Sequence, residues 1–98
     1  MKINTSTQNN VCTMFIQGRI DTLTAPELEQ TFIENAENCE KMIIDFSDTD
    51  YISSAGLRVI LVAHRKMEKK GGLVLKNLSK NVASIMKMTG FVKYVNIE

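Results

Sequence analysis

Three short apolar runs, Val11–Ile16 (VCTMFI), Met42–Phe46 (MIIDF) and Leu73–Leu75 (LVL), are separated by stretches whose apolar residues recur at helical spacing. Runs this short and this apolar suit strands buried in a sheet. A helix between two such strands returns the chain to the same end of the sheet, so the strands it joins lie parallel. The alternation therefore predicts an α/β fold with a mainly parallel sheet.

The remaining elements fit around that frame. Lys2–Thr7 reads as a short edge strand, Asn9 and Asn10 as a turn, and Gly18 as the stop after the second strand. Residues 2–18 thus form a hairpin, which makes the sheet mixed. In the segment TAPE, Thr24 stands at a candidate N-cap, Pro26 lies in the first turn, and Glu27 follows the threonine by three. That is a capping box ahead of a helix over residues 25–38, with Leu28, Phe32 and Ala36 on its inner face. Residues 47–52 form an acidic loop with Asp48 and Asp50 after Asp45. A second helix, Ala55 to Lys69, carries Leu57, Ile60, Leu61 and His64 on one face and stops at Gly71 and Gly72. Ser79 caps a short third helix through Met88, with Val82, Ile85 and Met86 inward and Gly90 closing it; Val92–Val95 is the last strand. The order is β-β-α-β-α-β-α-β.

Composition narrows the function. The chain has 98 residues, 44% of them hydrophobic, enough for one domain over residues 1–98 with a single core. Its net charge of +1 and sparse aromatics leave neither a basic stripe nor a stacking platform for nucleic acid. No apolar run approaches the roughly 18 residues that span a membrane. The N-terminal MKINTSTQNN is too polar for a signal peptide, so the chain is read as cytoplasmic. Cys12 and Cys39 fit no metal spacing and are expected to be reduced packing residues.

Catalysis finds no support. The single histidine, His64, lies ten residues beyond Ser54 on the same helix, roughly 15 Å along its axis. The two cannot form a nucleophile–base pair. SSAGL also lacks the glycine two residues before the serine that a nucleophile elbow needs. Asp45, Asp48 and Asp50 lack the glycine and distal glutamate of a calcium loop, and no phosphate-cradling glycine motif is present. The expectation is a protein that is not an enzyme, with no metal and no cofactor. Met86 and Met88, near Gly90, offer an adaptable apolar patch.

What remains is YISSAGLRVI, Tyr51 to Ile60, where an acidic loop turns into a helix at Ser53 and Ser54. A hydroxyl here can cap unpaired backbone N–H groups. The same position tolerates a phosphate, because those groups and the helix dipole favour negative charge. From residue types alone, cap and switch both stay open.

The segments GRIDTLTAPELE (Gly18–Glu29), IIDFSDTDYISSAGLRVIL (Ile43–Leu61) and KKGGLVL (Lys69–Leu75) together resemble the STAS domain. The likeness covers nearly the whole chain. It implies a STAS-like α/β fold: a mixed sheet of four to five strands, an N-terminal hairpin, and helices packed on the sheet. Free-standing bacterial members are anti-sigma factor antagonists. They bind an anti-sigma factor that is often also a serine kinase, and they regulate sigma-factor-dependent transcription. The kinase phosphorylates the serine two residues before the motif glycine, which here is Ser54 ahead of Gly56. The modified antagonist releases its partner, and a PP2C-type phosphatase restores it. The resemblance further implies that Asp21 lies near the modified serine. It makes Asp21, Thr22, Ser53, Ser54, Gly56 and Arg58 the partner-binding set, with Leu57 packed inward and Ser54, Arg58 and Val62 outward.

Two departures bear on these expectations. Many members carry aspartate before the modified serine, whereas this chain has Ser53, which makes Ser53 an alternative acceptor. The family helix after the last strand is expected to be short or missing, since the sequence stops at Glu98. The same resemblance admits other roles: a STAS scaffold, a small-molecule or nucleotide sensor, or a STAS subunit of a transport or signalling complex without a phosphoswitch.

Overall fold

The computed structural model describes residues 1–98. Five strands, β1 (Lys2–Gln8), β2 (Val11–Gln17), β3 (Lys41–Asp48), β4 (Leu73–Lys76) and β5 (Asn96–Ile97), form one sheet in the order β1-β2-β3-β4-β5. β1 pairs antiparallel with β2, and every later pair is parallel. Helices α1 (Ala25–Ala36), α2 (Ser54–Met67) and α3 (Lys80–Met88) make the crossovers. The hairpin turn falls at Asn9 and Asn10, both at positive φ (52° and 66°). Such a turn has the same twist as its strands, and asparagine tolerates it.

Strand order fixes where the core sits. Right-handed crossovers that always step in one direction place every helix on the same face of the sheet. The burial pattern agrees. Cys12, Met14 and Ile16 of β2, Met42, Ile44 and Phe46 of β3, and Leu73 and Leu75 of β4 join Leu28, Phe32, Ile60, Met67, Val82 and Met86 in one core. The other sheet face carries Thr13, Ile43, Asp45 and Lys76, and Phe15 there is 42% exposed. The sequence reading of β2 as buried on both faces is thus corrected: Val11–Gln17 alternates, and an apolar side chain at Phe15 does not by itself create a second layer.

Other expectations differ too, and α2 runs from Ser54 to Met67 rather than from Ala55 to Lys69. Thr24 does not cap α1. Its backbone is already helical (φ −98°, ψ −18°), so its hydroxyl cannot turn back to the first-turn amides. Instead it accepts from the Asp21 amide and donates to the Arg19 carbonyl. α1 ends at Ala36 rather than at residue 38. Residues 92–95 are not a strand: Gly90 (φ +78°) opens a short 3-10 turn, Phe91–Lys93, and pairing begins only at Asn96. On α2, Leu61 is half-buried, and Val59 and Ala63 fill the core in its place.

Lys70 closes the far end of the helical layer. Its ammonium donates to the carbonyls of Ala36 (2.7 Å) and Cys39 (3.1 Å), satisfying groups left open where α1 ends. Replacing Lys70 by Met keeps the aliphatic stem and removes the charge-assisted bonds. The expected loss is about 1 kcal/mol, read as a fall in Tm of roughly 4–8 °C for a domain of this size by thermal melting.

Candidate functional site

The β2–α1 loop and the β3–α2 loop lie side by side because two buried isoleucines clasp them. Ile20 and Ile52 form a parallel bridge outside the main strands. The Ile20 amide donates to the Tyr51 carbonyl (3.0 Å), and the Ser53 amide donates to the Ile20 carbonyl (2.8 Å). Just before the clasp, the register of β2 on β3 shifts between Phe15 and Gln17. The Ile16 carbonyl at that irregularity accepts from the hydroxyl of Thr49 (2.9 Å), the one buried polar side chain of the core. A buried carbonyl without this partner would be costly. Gly56 then lets the first turn of α2 settle on the clasp. A Cβ there would lie 2.6 Å from Ile20 Cγ2 and 2.7 Å from Ile52 Cγ1.

The adjacent serines divide the work. Ser53 is extended (φ −87°, ψ 173°), half-buried, and its Oγ accepts from the Gly56 amide at 3.3 Å. It is the N-cap. Ser54 is the first residue of α2 and is exposed. Its hydroxyl has no partner in the chain, and the Ser54 and Ala55 amides beside it carry no backbone hydrogen bond.

Across the clasp, Asp21 builds the neighbouring turn. Its Oδ1 accepts from the amides of Leu23 and Thr24, each at 3.0 Å. The Thr24 amide, foremost among these donors, holds the Asp21 carboxyl below its ordinary value, against a smaller opposing push from burial. Arg19 stands 3.9 Å from the same carboxylate and lies over the Tyr51 ring, 4.4 Å from its centroid. Between α1 and α2 runs an open groove of about 320 Å³, lined by Thr22, Ala25, Pro26 and Glu29 on one side and Ala55, Arg58, Val59 and Val62 on the other. Of the residues expected at a partner surface, Asp21, Thr22, Ser53, Ser54 and Arg58 come together at this edge. Gly56 is buried beneath them and offers no surface. Leu57 packs inward, Arg58 is exposed, and Val62 is half-buried on the groove wall.

The family profile of the STAS domain matches residues 2–98. The chain belongs to the STAS domain family. It is 32% identical over 83 residues to the anti-sigma-B factor antagonist of Bacillus subtilis, covering 84% of this chain and 76% of that one. It is 30% identical over 94 residues to a Bordetella bronchiseptica protein named as an anti-sigma factor antagonist, BtrV, covering 94% and 81%. In fold it matches an anti-sigma factor antagonist from Mycobacterium paratuberculosis with a TM-score of 0.89 at 24% identity, covering 98% of this chain and 83% of that one.

Several participants in this STAS domain's site escaped the sequence reading. Thr49, Arg19 and Tyr51 lie inside the quoted segments but were given no role there, and only the fold brings them to the clasp. Asn81, at the start of α3, donates to the Asp50 carbonyl at 2.7 Å and ties a third loop to the same edge. Leu23 is 89% exposed at the tip of the Asp21 turn. Its exposure had no signal beyond an apolar residue inside a polar loop.

Two measurements follow from the geometry. Ser53→Ala removes the cap and is expected to cost about 1 kcal/mol, whereas Ser54→Ala stays within about 0.5 kcal/mol of wild type; urea denaturation of both reads the contrast. Asp21 has a folded-state pKa below the ordinary 3.8. The charge-dependent part of its turn is therefore present above that pH and is lost as pH falls through the folded value. Wild type is expected to exceed Asp21→Asn in stability at neutral pH, and the gap to close in acid below about 3.8.

Proposed function

We propose that this STAS domain is an anti-sigma factor antagonist. It binds an anti-sigma factor of the serine-kinase type in the cytoplasm and is switched off by phosphorylation of Ser54. The observation that carries the reading is the division between the two serines. Ser53 spends its hydroxyl on the helix cap, while Ser54 points a free hydroxyl to solvent at the tip of α2. The names of the relatives support the partner class. The fold is also shared with SpoIIAA, whose structures in the unphosphorylated and phosphorylated forms match this chain with TM-scores of 0.82 and 0.74.

In the transfer, Ser54 Oγ bonds to the γ-phosphorus of ATP, the bond to ADP breaks, and the hydroxyl proton passes to a base of the kinase. The product carries about −1.5 to −2 charges at neutral pH. Within the chain this charge is well placed, because the free Ser54 and Ala55 amides and the helix dipole favour an anion. Arg58, one turn along α2, is within i,i+4 reach of it. At an interface the same group has to be desolvated, and it draws Arg58 away from the partner. Binding weakens and the fold stays. A PP2C-type phosphatase hydrolyses the ester and restores the hydroxyl. The protein itself acts by binding and contributes no catalytic group.

Incubation with the cognate anti-sigma kinase and ATP is expected to place one phosphate on Ser54, mapped by mass spectrometry. Phosphate on neither Ser54 nor Ser53 ends the switch reading. Ser54→Asp is expected to bind the anti-sigma factor at least tenfold more weakly than Ser54→Ala by calorimetry, and equal affinities count against the electrostatic step.

A further inference from the structure

We propose that Leu23 is the apolar anchor of the complex: its side chain enters an apolar pocket on the anti-sigma factor, beside a carboxylate that pairs with Arg58. This rests on the antagonist reading above. Leu23 is the most exposed large hydrophobic side chain of the protein, at 89%. The backbone that carries it is fixed. Its amide is fixed to Asp21 Oδ1 at 3.0 Å. The next amide, of Thr24, shares that oxygen, and the Ala25 amide bonds to the Asp21 carbonyl at 2.8 Å. A turn already ordered in this way loses little backbone freedom on docking.

Its position ties it to the switch. The Ile20–Ile52 clasp holds the loop that carries Leu23 against the loop that leads to Ser54, so both residues lie at the same end of the sheet. The groove lined by Thr22, Pro26, Ala55, Arg58 and Val62 adjoins both loops. Arg58 is exposed and makes no ion pair within the chain. The surface that fits has an apolar pocket for Leu23, an apolar projection for the groove and an acid for Arg58. The other strongly exposed apolar residues, Met88 (83%) and Tyr94 (64%), belong to the far end of α3 and the segment after it, away from Ser54.

Calorimetric titration with the purified anti-sigma factors of the source organism tests the assignment. Leu23→Thr is expected to weaken binding about tenfold with an unchanged melting temperature. Leu23→Met and the distant Met88→Thr are expected to stay within about threefold of wild type. A loss under threefold for Leu23→Thr, or an equal loss for Leu23→Met, overturns the anchor while the antagonist reading stands. A wild-type chain that binds none of the anti-sigma factors overturns both.

Discussion

The site depends on how closely α2 approaches the Ile20–Ile52 pair. These side chains are fully buried, and the Ile20 backbone bonds to Tyr51 and Ser53 on either side of Ile52, which fixes two loops to one another. The approach exists because residue 56 has no Cβ; a methyl would have to displace both isoleucines at under 3 Å. Overpacking of this kind typically costs 1–3 kcal/mol, and it would also lift the tip of α2 away from the Asp21 turn. Packing beneath the surface thus decides what lies next to what on it. Asp21, Leu23, Ser54 and Arg58 share an edge because two isoleucines and a glycine sit below them.

The same geometry explains how one position can carry a charge change without damage to the fold. The helix tip has its cap from Ser53, so Ser54 owes nothing to stability. Its neighbours are unpaired amides, which an anion satisfies rather than disturbs. A switch built on the capping residue itself would couple modification to unfolding. Under the proposed switch, separating cap from acceptor by one residue uncouples them. An N-cap serine here does the work that an aspartate would do, since both accept from first-turn amides.

Much of this was legible in the sequence. Alternating apolar runs and helical stretches gave the element order. Asn9-Asn10 gave the hairpin turn, and Ser79 gave the α3 cap, with its Oγ accepting from Val82 at 3.2 Å. The failures turned on backbone conformations, hydrogen-bond partners and topology that residue type alone does not show. TAPE has the spacing of a capping box, yet the Asp21 carboxylate took the local amides and left Thr24 to the Arg19 carbonyl. VCTMFI is apolar enough for two buried faces, but the topology supplies helices on only one. FVKYV has strand-forming residues, and the left-handed Gly90 turned its first three into a 3-10 turn. Cys12 and Cys39, distant in sequence, both lie buried in the one core, where burial pushes the Cys39 thiol up and keeps it a packing group.

Topology also accounts for the kind of site this is. In open α/β sheets, small ligands bind where the strand order reverses and the loops of neighbouring strands part to opposite faces. Here the order runs from β1 to β5 without reversal. No pair of loops parts, and no crevice opens above the strand ends. Instead the loops after β2, β3 and β4 crowd together, bonded through Ile20–Tyr51, Ser53–Ile20 and Asn81–Asp50. The result is a continuous outer surface with one shallow groove, three helix N-termini beneath it and a hydroxyl at its edge. Such a surface has little with which to enclose a metabolite. It has the breadth, the projecting leucine and the unpaired arginine to be read by another protein.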